Sequence, residues 1–274
     1  MFKKTVFLVF MLSVTVPLLG EAVRVACVGD SITYGSRIEN RLYNAYPFQL
    51  GRMLGPGYDV RNFGVSGATL LRNGNKPYNR LEAYEEALAF RPDIVLIKLG
   101  TNDSKGINRA FFGEFKSDYR QLVDSFRYVN PDARIIILVP VPAFIADETG
   151  GITQTVISRI IPMIEETAYE AGCEILDLHH LFLDQEELFP DKIHPNREGA
   201  TLMALRIQEA LLQREDPSYD LVERLGIEGR PFNFHGFRGT EFESDGLKMK
   251  VVQPRHANPD HSWIIRARFF GHEP

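Results

Sequence analysis

Ser31 lies at the end of an apolar run, in VACVGDSITYG over residues 25–35. A serine hydroxyl is a weak nucleophile until a base within hydrogen-bond reach takes its proton. Gly-Asp-Ser is also turn and helix-cap chemistry, so this stretch alone fits a nucleophile and an N-cap equally well. Far along the chain, Asp191 and His194 stand three apart in DKIHP. Pro195 biases His194 toward extended backbone, which puts the pair on a loop. If that loop curls, the carboxylate fixes the imidazole tautomer and the second ring nitrogen is free to face a serine. Two further segments carry hydrogen-bond donors. Gly67 in NFGVSGATL can offer a backbone N–H to a developing oxyanion, and Asn102 in LIKLGTND can offer a side-chain amide. Read alone, the glycine is first of all a flexible turn, and the asparagine is common strand-end chemistry.

These groups act together only if the fold brings them to one place. From Val23 onward, short apolar runs bounded by turn residues alternate with amphipathic segments. The runs are 23–29, 58–64, 93–100, 133–141 and 173–179. Their length and near-continuous apolarity predict strands buried on both faces. Between them, Phe115, Tyr119, Leu122 and Phe126 follow a helical period, as do Ile157, Ile160, Ile161 and Ile164, with Pro162 expected to disturb or bend the second helix. A last helix is expected after Asn196, a suitable N-cap, with Met203, Ile207 and Leu211 on one face. Strands alternating with helices predict an α/β domain, a parallel sheet covered on both faces. Sites in such sheets form outside the carboxyl ends of the strands. Ser31, Gly67, Asn102 and the Asp191–His194 loop follow the first, second, third and fifth runs, so all four fall at that edge.

With the blocks in this order, the chain resembles the GDSL, or SGNH, hydrolase family. The resemblance rests on GDSI at 29–32, Gly67 in VSGAT, GTND at 100–103 and DKIH at 191–194. GDSI in place of GDSL is an apolar exchange behind the nucleophile. The resemblance implies a flavodoxin-like three-layer α/β/α sandwich on a five-stranded parallel sheet, and hydrolysis of carboxylic esters or thioesters with no metal and no cofactor. Carried over residue by residue, it implies Ser31 as nucleophile, His194 as base and Asp191 as its orienting acid. The N–H groups of Ser31 and Gly67 and the amide of Asn102 would form the oxyanion hole, with Asp30 and Asp103 supporting their loops. Asp177, in ILDLHH, is a second candidate acid, disfavoured because the DxxH spacing keeps acid and base on one loop. His179 and His180 are adjacent, and successive side chains point apart, which argues against one metal between them.

The remaining features bound the context. The chain has 274 residues and a net charge of −5 without a basic cluster, which argues against a nucleic-acid partner. MFKKTVFLVFMLSVTVPLLGEA, residues 1–22, has the layout of a secretory signal peptide, too short for a membrane span, so a periplasmic or extracellular location is expected. Cys27 and Cys173 read as inert core thiols on strands too far apart to bridge. The polar stretch between Gly64 and Tyr84, with Arg72, Asn73, Asn75, Lys76 and Tyr78, suits sugar hydroxyls. The reading is therefore a secreted serine esterase for short acyl, chiefly acetyl, esters of a small-molecule or glycan substrate. The rivals are a lipid or thioester acyl hydrolase and an inactive carbohydrate-binding protein. The hydrolase domain is assigned to 23–213 and a charged linker to 214–230. Residues 231–274 form a β-rich tail with a hairpin turn at Asp245-Gly246 and a strand at 262–270. That tail weakly resembles the opening strands of an α/β-hydrolase-type domain, which implies a second hydrolase domain missing from this chain.

Overall fold

The computed structural model describes residues 21–145, 151–212, 221–234 and 237–253. Its strands are β1 (Val23–Gly29), β2 (Tyr58–Gly64), β3 (Ile94–Lys98), β4 (Arg134–Val139) and β5 (Glu174–Asp177), followed by β6 (Arg230–Phe234), β7 (Phe237–Ser244) and β8 (Leu247–Val252). The helices are α1 (Ser31–Tyr34), α2 (Arg41–Asn44), α3 (Tyr46–Leu54), α4 (Glu82–Ala89), α5 (Phe115–Val129), α6 (Gln154–Ala171), α7 (Arg197–Leu212) and α8 (Leu221–Arg224). β1 to β5 form one parallel sheet in the order 2-1-3-4-5. The chain leaves β1 toward β2 and then returns to β1's other side as β3. The crevice of the sheet opens at that reversal, above the carboxyl ends of β1 and β3.

Strand alternation sorts the core into two layers. Ala26, Val28, Val95, Ile97, Ile135 and Ile137 face one side and pack with Phe115, Tyr119 and Phe126 of α5 and Ile160 and Ile164 of α6. Val25, Cys27, Leu96, Ile136 and Leu138 face the other and pack with Tyr46 and Leu50 of α3 and Met203 and Ile207 of α7. The sequence expectation of a three-layer α/β/α sandwich therefore holds, with all five strands where the apolar runs predict them. Three details differ. β2 and β5 are edge strands, in which only Phe63 and only Leu176, respectively, are buried. α6 continues through Pro162, whose ring sits on the exposed side of the helix. The short helices α2 and α3 and the 3-10 segments from Asn102 to Glu114 carry too few periods to stand out in the sequence.

Both cysteines are free and buried. β1 is interior and β5 is the far edge, with β3 and β4 between them, so at about 4.8 Å per strand the thiols are beyond disulfide reach. Burial pushes the Cys173 thiol up to about 11. At the C-terminal end, β6, β7 and β8 form a separate antiparallel sheet. Asp245 and Gly246, at φ 53° and 76°, make its second turn, the backbone that an Asp-Gly hairpin requires. Helix α8 interrupts the stretch expected to be linker. The expected signal peptide, apart from Glu21 and Ala22, and the strand expected at 262–270 lie outside the described residues.

Candidate active site

Ser31 is delivered by a tight junction between β1 and α1. Gly29 ends the strand so close to its neighbours that a Cβ would fall 2.1 Å from Thr33 Oγ1 and 2.7 Å from the Lys98 carbonyl oxygen. Asp30 then caps α1, accepting the Ile32 N–H at 2.9 Å. Ser31 is the first helical residue, 8% exposed. The N-cap is therefore Asp30 and not Ser31, whose hydroxyl is left for another partner.

That partner is His194. Its Nε2 lies 2.8 Å from Ser31 Oγ, and its Nδ1 lies 2.8 Å from Asp191 Oδ2. The loop before α7 curls because Asp191 Oδ1 accepts two backbone N–H groups, from Ile193 at 3.1 Å and His194 at 2.7 Å. Asn196 caps α7 through the Gly199 N–H and fixes where the loop ends. Burial alone would raise Asp191, but the hydrogen bonds from His194 and Ile193 outweigh it and hold the carboxyl below its ordinary value. With Asp191 ionised, Nδ1–H donates to the carboxylate and Nε2 is the acceptor for the Ser31 hydroxyl.

Gly67 and Asn102 flank this relay on the loops after β2 and β3. Gly67 has φ 81°, a left-handed conformation that favours glycine. Asn102 donates from Nδ2 to the Ala68 carbonyl at 3.1 Å, which ties it to the Gly67 loop and leaves its second amide hydrogen. Among the described residues, the N–H groups of Ser31 and Gly67 have no protein acceptor. Asp103 is fully buried and accepts the N–H groups of Leu70 and Leu71 at 3.0 and 2.8 Å. Burial raises it to about 6. Ser36 and Ser66 clasp the nucleophile and glycine loops at 2.5 Å.

Asp177 stands apart from this group. It closes β5 at the sheet edge and binds His180, accepting its N–H at 2.9 Å and lying 2.5 Å from its Nδ1. His179 is buried, with Nδ1 donating to the Pro140 carbonyl at 2.9 Å and Nε2 facing the Gln154 amide at 2.8 Å. Among the described residues, no group of three or more His, Cys, Asp or Glu side chains is placed to hold a metal. Two residues next to the site escape sequence reasoning. Lys98, fully buried at the end of β3, reaches Asp30 at 3.1 Å and donates to Thr101 Oγ1 at 2.7 Å. A lysine interrupting IVLIK is a visible signal, but its partner emerges only from the pairing of Gly29 with Lys98. Arg37, at φ 64°, sets Nε 2.7 Å from Asp191 Oδ2; no sequence pattern marks it.

The sheet order places the domain among flavodoxin-like α/β folds. The chain belongs to the GDSL-like lipase/acylhydrolase family, a family of ester hydrolases, whose profile matches residues 27–202. Over 213 residues it is 41% identical to an acetylxylan esterase of Xylanibacter ruminicola, covering 70% of this chain and 43% of that protein. It is 24% identical to a multidomain esterase of Ruminococcus flavefaciens over 65% of this chain and 27% of that protein. The chain thus spans less than half the length of these curated relatives. In fold it is similar to a carbohydrate acetylesterase of Sinorhizobium meliloti, with a TM-score of 0.55 at 20% identity, covering 69% of this chain and 98% of that one.

Proposed function

We propose that this chain is a secreted serine esterase that removes acetyl groups from acylated carbohydrate. The observation that carries the reading is the relay itself: Ser31 Oγ, His194 and Asp191 in successive contacts of 2.8 Å at the carboxyl edge of β1. In this reading Ser31 Oγ attacks the acetyl carbonyl carbon while His194 Nε2 takes the hydroxyl proton. The carbonyl electrons move onto an oxyanion held by the N–H groups of Ser31 and Gly67 and the amide of Asn102. As the bond to the sugar oxygen breaks, the imidazolium returns its proton to that oxygen. Water, deprotonated by His194, then attacks the acetyl-serine, and acetate leaves with Ser31 restored.

Support for acetylated glycan comes from the acetylxylan esterase relative, aligned over most of the hydrolase domain. The stretch between Gly64 and Tyr84 adds no separate support: Tyr78 is buried, with its hydroxyl donating to the Phe63 carbonyl at 2.8 Å, and Arg72, Asn73 and Asn75 engage in hydrogen bonds with the 3-10 segment and α5. The N-terminal layout supports export: Lys3 and Lys4, then an apolar run, then Gly20 and Ala22. We further assign residues 214–230 as a connector and 231–274 as the start of a second domain, in keeping with the separate β6–β8 sheet and the greater length of the relatives.

The test is hydrolysis by the chain from Val23 onward, with Ser31→Ala beside it, of acetylated xylo-oligosaccharides and of chromogenic acetyl and octanoyl esters. Acetate release that requires Ser31, with acetyl far above octanoyl, is the expected result. Preference for octanoyl would move the substrate to lipids, turnover surviving in the variant would remove Ser31 from its role, and binding without turnover would indicate a carbohydrate-binding protein.

A further inference from the structure

The acid of the relay has a second cation on it. Asp191 Oδ2 faces His194 Nδ1 at 2.8 Å and Arg37 Nε at 2.7 Å, while Oδ1 is taken up by the two backbone N–H groups of its own loop. Arg37 comes from a different element, the loop after α1, and that loop is pinned to the nucleophile. Ser31 O accepts the N–H groups of Gly35 at 3.0 Å and Ser36 at 2.9 Å. The contacts therefore close a ring: Ser31 to His194, His194 to Asp191, Asp191 to Arg37, and the backbone from Arg37 back to Ser31. Arg37 holds its place with φ 64°, a left-handed conformation that a non-glycine residue rarely keeps without a reason. Its side chain is 72% exposed, so burial of apolar surface does not supply that reason.

We propose that Arg37 is a positioning residue for the Ser31–His194–Asp191 relay: its guanidinium holds the outer oxygen of the acid and keeps the carboxylate from over-stabilising the protonated imidazole. This inference rests on the relay acting as proposed above. A carboxylate shared between two cations attracts each less than it would attract one alone. The cation and the imidazolium lie at most two contact lengths apart, 2.7 and 2.8 Å, so they also repel directly. Both effects oppose the one that Asp191 exerts on the imidazole through Oδ2. Among the described residues, the charged groups in contact with Asp191 are Arg37 and His194. Lys192, on the same loop, is engaged instead by Glu186.

The experiment uses the whole chain. The variants are Arg37→Asn, since asparagine tolerates left-handed backbone, Arg37→Lys, and Arg120→Gln as a charge control paired with Glu170 on α6. The acid limb of the pH dependence of kcat/KM reports the base in the free enzyme. Measured with a chromogenic acetyl ester at low ionic strength, it is expected to rise by about half a pH unit in Arg37→Asn, the size of a solvent-screened interaction at this range. Lysine should restore most of that shift, and Arg120→Gln should leave the limb in place. NMR titration of the His194 ring in the Ser31→Ala protein, with and without Arg37→Asn, gives the same comparison without turnover. A ring titration unmoved by Arg37→Asn, or moved as far by Arg120→Gln, would overturn the proposal. Absence of Ser31-dependent turnover in the wild type would count against the esterase reading alone, because the ring titration still decides Arg37. Equal melting temperatures separate the shift from partial unfolding.

Discussion

Removing the Lys98 ammonium should be among the most damaging single changes in the domain. Lys98→Met keeps most of the side-chain volume and deletes the charge. The ammonium is fully buried, 3.1 and 3.3 Å from the two Asp30 oxygens and 2.7 Å from Thr101 Oγ1. Without it, Asp30 keeps only the Ile32 N–H as a described partner for a carboxylate that is itself 0% exposed. Breaking a buried pair by deleting one member typically costs about 3–5 kcal/mol. For a domain of this size, 1 kcal/mol moves the melting point by about 2–4 °C, so a fall of roughly 6–20 °C is expected. Asp30→Asn should cost less. The amide oxygen can still cap Ile32, and burial already lowers the Lys98 pKa, so the lysine can shed its proton. The double variant should recover at least half of the Lys98→Met loss. Urea denaturation of the four proteins at neutral pH supplies the cycle. A Lys98→Met protein within about 1 kcal/mol of wild type, or a double variant that loses the sum of the two singles, would refute the view that this pair is a coupled buried unit.

Other expectations are more local. Asp191→Asn should lower kcat by about 10⁴, because the wrong imidazole tautomer is then favoured, whereas Asp177→Asn should keep most activity because its partner is His180; steady-state kinetics of both decide between the two acids. Asn102→Ala should cost about 10²–10³ in kcat with little change in KM, the loss typical of one oxyanion donor. Asp103 titrates at about 6 in the fold, against about 3.9 when free. The folded chain therefore keeps a proton that the unfolded chain has released. The contribution of Asp103 to stability should fall by roughly 3 kcal/mol as pH rises from about 4 to about 6 and stay level above. Urea midpoints across that range should show this slope in the wild type relative to Asp103→Asn.

The parts of the fold legible in the sequence are those whose signal is local. Val23–Gly29 and Arg134–Val139 are short, apolar and bounded by turn residues, and nothing but a buried strand fits them. The GDSI, GTND and DKIH blocks follow such strands, so one rule about parallel sheets was enough to gather them at one edge. Edge position is not local: Tyr58–Gly64 looks much like its neighbours until the strand order shows that, among the described residues, no strand pairs with its outer edge. The helices between Arg41 and Leu54 are too short to display a period. The partners of Lys98 and Arg37 were illegible for a related reason. Each acts through a residue far away in sequence, 68 positions for Lys98 and Asp30, and only the fold brings the pairs together.

The distance between Ser31 and His194 along the chain, 163 residues, also bears on how the protein forms. Ser31 follows directly on β1, early in the chain, and His194 waits on the loop before α7, which docks on α3 through the Thr201–Gln49 hydrogen bond at 2.8 Å. A partly folded chain can hold a well-formed nucleophile turn and still lack a base. Contacts of such long range form late, because their loop-closure entropy must be met before they are rewarded. Returning esterase turnover during refolding should therefore track the last step of assembly and lag behind the burial of the central strands.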